Sequence, residues 1–122
     1  MQKLLSFLAL STLLLAACSS YAPGEDKKGI QMQTIASQVL VALRAYMDDN
    51  SREPQTLQQL VPKYLPEIPK EPEIHFDPRG GRLEFTYQQA ETNGMLVNCH
   101  AALGETQWVC LGAYAQPKTA NP

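Results

Sequence analysis

Residues 29–49 read GIQMQTIASQVLVALRAYMDD, and residues 82–88 read RLEFTYQ. In the first stretch Ile30, Met32, Ile35, Ala36, Val39, Leu40, Leu43, Tyr46 and Met47 recur at spacings of three and four. Gln31, Gln33, Ser37, Gln38 and Arg44 fall mostly elsewhere, so the pattern predicts one face of an amphipathic helix. In the second, Leu83, Phe85 and Tyr87 alternate with Arg82, Glu84, Thr86 and Gln88, the pattern of a half-buried strand. A helical period that gives way to an alternating one predicts an α+β class, with one long N-terminal amphipathic helix packed on an antiparallel sheet of about four strands. Asp48-Asp49-Asn50-Ser51 closes the helix. Acids near a C-terminus oppose the helix dipole, a conflict that fits a solvated turn or a ligand.

Between the two stretches lie six of the nine prolines, from Pro54 to Pro78. Thr56-x-x-Gln59 has the form of a capping box opening a short helix, with Leu57, Leu60 and Val61 as its buried face and Pro62 as its stop. Pro66, Pro69 and Pro72 impose an extended path, and Tyr64 and Leu65 anchor it to the core. This is a rigid connector. Beyond it, Ile74-His75-Phe76 predicts a strand, Asp77 to Gly81 and Asn93-Gly94 predict turns, and 95–101 and 107–112 predict the last two strands. If Cys99 lies opposite Cys110, the loop centres on 103–106, Ala101 faces Trp108 and Val97 faces Gly112, a small residue against each large one.

The other end of the chain carries an address. Met1-Gln2-Lys3 is followed by an apolar run, Leu4 to Leu15, that is shorter than the roughly 20 residues of a membrane-spanning helix. Leu15-Ala16-Ala17-Cys18 then resembles the bacterial lipobox, an ordinary secretory signal with a chance cysteine being the alternative. The resemblance implies cleavage before Cys18 and acylation of that residue, anchoring the protein to the membrane by lipid. Ser19, rather than Asp, follows it, which implies the outer membrane facing the periplasm in Gram-negative bacteria, with the periplasmic face of the inner membrane as the alternative. The expected organisation is a signal peptide over 1–17, an acylated cysteine and flexible tether over 18–28, a folded domain over 29–115 and a frayed tail over 116–122.

With Cys18 given to lipid, Cys99 and Cys110 remain as an even pair in an oxidising compartment, and a disulfide is the economical reading. Closing a loop of about 12 residues is worth roughly 2.8 kcal/mol through lost chain entropy in the unfolded state. The competing reading is a metal site using Cys99, His100, Cys110 and His75. Adjacent strand residues point to opposite faces and no zinc spacing is present, so no metal ligand is assigned.

A length of 122 residues suits one domain, and a formal charge of −2 supplies no field for nucleic acid. No G-x-S-x-G and no phosphate-cradling loop occurs, and His75 and His100 fall in expected strands. The pairs Asp48/Asp49 and Glu71/Glu73 fall in turns. The expectation is a non-enzymatic chain without catalytic residue or cofactor. A ligand-binding envelope lipoprotein is the alternative, favoured if Tyr64, Phe85, Tyr87 or Trp108 line a concave pocket.

The string Ala42-Leu43-Arg44-Ala45-Tyr46-Met47-Asp48-Asp49-Asn50, then Pro54, Leu57-Gln58-Gln59-Leu60-Val61, Tyr64-Leu65-Pro66-Glu67-Ile68-Pro69-Lys70 and Pro72, and finally Leu83-Glu84-Phe85-Thr86-Tyr87, resembles the type IV pilin and type II secretion pseudopilin family. The resemblance covers under half of the mature chain. It implies a pilin-like domain and, as partners, envelope proteins of a pilus, a secretion system or a related machine. Two departures qualify it. A lipobox and polar tether stand where pilins carry a prepilin-peptidase site and a long apolar helix, so the chain lacks the usual means of entering a filament. Glu71 stands where the family often has Asp. Asp77, Glu84, Glu91 and Glu105 do not match the pseudopilin calcium ligands residue by residue, so no calcium site is carried over.

Overall fold

The computed structural model describes residues 21–89 and 94–113. The expected signal segment, Cys18, the tail over 116–122, Glu91 and Asn93 lie outside the described residues. One helix, α1 (Lys27–Asn50), packs on a four-stranded antiparallel sheet. The strands β1 (Ile74–Asp77), β2 (Arg82–Gln88), β3 (Leu96–Ala102) and β4 (Val109–Ala113) lie side by side in chain order. This is the α+β arrangement the two periodicities predict. No helix among the described residues is long and apolar enough to cross a membrane.

The core forms where the apolar stripe of α1 meets the inner face of the sheet. Met32, Ala36, Val39, Leu40, Leu43 and Tyr46 from the helix meet Leu83, Phe85, Tyr87, Val97, Cys99 and Ala101 from the strands. Phe85, Leu43, Leu60, Leu83, Val39 and Val97 are among the largest side chains wholly shielded from water. Ile30 departs from the expected stripe: it is 55% exposed at the helix flank.

The helix begins at Lys27, within the segment expected to be a tether, because Asp26 caps it by accepting a hydrogen bond from the Gly29 N–H (3.3 Å). Gly24 and Asp26 are both buried, so residues 24–28, expected within a flexible tether, belong to the folded unit. Polar composition reads as a linker and carries no sign of a partner 61 residues away. At the other end Ser51 adopts a left-handed conformation (φ 55°) and its N–H returns to the Met47 carbonyl.

The connector is anchored to the core, with Pro54, Leu60 and Leu65 buried. Its short helix is a single 3-10 turn, Leu57–Leu60, with no side-chain cap from Thr56. Gln59 instead accepts from the Gln55 N–H (2.7 Å), so only the glutamine half of the capping box forms, one residue early.

In the final hairpin Cys99 lies opposite Cys110 and Val97 opposite Gly112, as the spacing predicts, and the Cys99–Cys110 disulfide is present. The ladder ends at His100 and Val109. Trp108, expected to face Ala101 on the ladder, lies beyond its end, edge-on to Phe85 (centroids 5.1 Å apart).

Candidate functional site

Three groups of side chains hold chemistry-bearing atoms together. The first is buried where the chain enters α1. The Tyr87 hydroxyl donates to Asp26 and accepts from the Gly24 N–H (3.1 Å), and the Gln89 amide donates to Asp26 (3.3 Å). Gln33 on α1 donates to the Gly24 carbonyl (2.7 Å). Burial, with the hydrogen bond to Asp26, pushes the Tyr87 hydroxyl up to about 12 from 10.0. A Cβ at Gly29 would overlap the Tyr87 hydroxyl, so glycine is required there. The network latches segment 22–26 onto β2 and fixes where the upstream chain leaves the domain.

The second group resolves the dipole conflict at the end of α1. Asp49 accepts from the Tyr64 hydroxyl (2.8 Å) and pairs with Lys63 (3.4 Å). These two contacts, the Tyr64 bond first, hold the Asp49 carboxyl below its ordinary range. Tyr64 stacks edge-on against Tyr46 at 5.5 Å, so the connector is pinned to the helix end. The group is a surface clasp between the end of α1 and the connector.

The third is a row across the outer face of the sheet. His75, Glu84 and His100 lie directly opposite one another on β1, β2 and β3. His75 is within 3.8 Å of Glu73, and His100 Nδ1 is shielded with no hydrogen-bond partner. The row lies on an open face, beside a shallow groove of about 230 Å³ that also involves Phe76, Asp77 and Arg82. Among the described residues no three His, Cys, Asp or Glu side chains are placed to hold a metal ion. Cys99 and Cys110 face inward in their disulfide, away from His100, because alternate strand residues face opposite ways.

The four aromatic candidates do not line one pocket. Phe85 and Tyr87 are core residues, Tyr64 belongs to the clasp, and Trp108 donates its indole N–H to Ser37 on α1 (2.9 Å). Outside Trp108 an open groove of about 430 Å³ runs between the helix flank (Ile30, Gln33, Thr34, Ser37) and Thr106 and Gln107. Every residue along it is uncharged.

This groove borders β4, where the sheet ends. The chain matches no protein-family model, no curated protein and no solved structure. The surface chemistry of β4 is therefore the guide to its use. The two edges of the sheet differ sharply. At one edge, β1 carries exposed His75 and Asp77, with Glu73 just before it and two prolines upstream, devices that discourage further strand pairing. At the other, no charged residue occurs from Thr106 to Ala113. Val109 is 46% and Leu111 60% exposed on the outer face, with exposed Leu96 on β3 nearby.

The backbone of that edge is available as well. The Cys99 and Cys110 Cα atoms are 4.1 Å apart, the spacing of a non-hydrogen-bonded antiparallel pair (about 4.5 Å). Residues in such pairs aim their N–H and C=O away from the neighbouring strand. Cys110 and Gly112 thus present theirs at the open edge, while Val109 and Leu111 bond β3. The uncharged run is visible in the sequence, but the strand order that makes β4 an edge is not.

Proposed function

We propose that this chain is a lipid-anchored module of the bacterial envelope, held through Cys18 on the periplasmic side of the outer membrane, that works by protein contact through β4. The observation that carries the reading is the contrast between a charged, proline-flanked edge at β1 and an uncharged, apolar edge at β4. An edge with exposed Val109 and Leu111 and free backbone groups is a template for another strand.

The pseudopilin-like string from Ala42 to Tyr87, with a lipobox-like sequence where pilins carry their filament helix, supports a pilin-like role as an accessory of a type IV pilus, a type II secretion system or a related machine. A module of this kind touches the machine from its own lipid anchor and stays out of the filament. A photo-crosslinking residue at Val109, in cells that assemble such a machine, tests the assignment. Adducts containing one of its components are expected. Adducts containing none would overturn the machine assignment.

A further inference from the structure

The geometry points to a second copy of this chain as the occupant of the β4 edge, paired antiparallel about a two-fold axis at Leu111. The inference rests on reading β4 as the contact surface and names what it contacts. A symmetric pairing places the same surface on both partners, so it requires an edge that complements itself. With the axis at Leu111, Cys110 of one copy lies opposite Gly112 of the other, and the reverse. These are the residues whose N–H and C=O point outward, so each pair exchanges both of its hydrogen bonds. Leu111 then meets its own copy as a non-hydrogen-bonded pair, the arrangement in which opposed side chains come closest.

The side chains agree with that register. No charge lies between Thr106 and Ala113, so the pairing sets no like charges against each other. Leu111, 60% exposed on its own, is covered by its counterpart. On the inner face Gly112 contributes no side chain of its own, and Met95 and Pro23 pack over it. The axis runs perpendicular to the sheet, so both helices lie on the same face of one continuous sheet of doubled width. The β1 edge, with Glu73, His75 and Asp77, forms both outer margins and ends the assembly.

The full chain carrying Leu111→Cys, expressed in bacterial membranes and run on a non-reducing gel, tests this. The expected result is a disulfide-linked dimer that reverts to monomer with reductant. Val41→Cys, at a 67%-exposed position on α1 away from the edge, should stay monomeric. Sedimentation of the unmodified, detergent-solubilised chain should give twice the monomer mass, and Leu111→Lys should halve it. Dimer no more abundant for Leu111→Cys than for Val41→Cys, or a monomeric unmodified chain, would overturn the inference. A Leu111→Cys adduct to a different protein would overturn the self-pairing and leave the contact reading standing, whereas no adduct of any kind would count against both.

Discussion

Tyr87 on β2 and Asp26 at the cap of α1 share a buried hydrogen bond across 61 residues of sequence. Through it the start of the helix, the upstream segment and the middle of the sheet become one unit. Gly24, Gly29 and Gln89 complete the arrangement.

Removing either member should therefore cost more than its own bond. Tyr87→Phe leaves Asp26 and the Gly24 N–H short of a partner in a buried site, and a loss of about 1–3 kcal/mol is expected in urea unfolding. Asp26→Ala also removes the helix cap, adding about 1 kcal/mol.

Burial of the Tyr87 hydroxyl, together with its bond to Asp26, makes stability depend on alkaline pH. An unfolded tyrosine ionises near 10, and Tyr87 in the folded chain near 12. Because the folded value is raised, the stabilisation is fully present below pH 10 and is lost as pH rises through 12. Urea midpoints measured from pH 8 to 12 should fall over that window, and Tyr87→Phe should show a shallower decline.

The start of the helix was hidden in the sequence for a physical reason. Asp26 lies in a run of glycine, acids and lysines that composition assigns to a tether, and only the fold brings Tyr87 to it. The long elements were legible because a single face is enough to define each: the α1 stripe and the alternation of β2 both survive folding. Ile30, grouped with the stripe from the sequence, lies on the helix flank with Gln33, Thr34 and Ser37 beside the open groove, so it stays 55% exposed. Thr56 and Gln59 satisfy a capping pattern, but Pro62 leaves too few residues for an α-helix, and the turn tightens to 3-10. The Cys99–Cys110 register was readable from spacing, whereas the role of β4 as an edge depends on strand order, which local pattern does not contain.

The core should respond to truncation as a tightly filled one. Phe85 is fully buried, with Tyr87 and Trp108 around it. Phe85→Ala should cost about 3–5 kcal/mol, enough to threaten folding of so small a domain. Ser37→Ala removes only the acceptor for the Trp108 indole and should cost roughly 1 kcal/mol in the same assay.

Loss of the staple should be measurable on its own. Replacing Cys99 and Cys110 together by alanine releases the loop between them, and a destabilisation of about 2.8 kcal/mol is expected from chain entropy. Thermal unfolding of the oxidised chain and the double variant compares them directly.

Contact through β4 is tested most directly by amide hydrogen exchange over residues 106–112, measured in native membranes on the full chain and on its Leu111→Lys variant. If the edge is occupied in the envelope, the Cys110 and Gly112 N–H groups should exchange about tenfold more slowly in the unmodified chain, ~1.4 kcal/mol of added protection. Equal and rapid exchange in both chains would show that nothing pairs with β4, and would contradict the contact function.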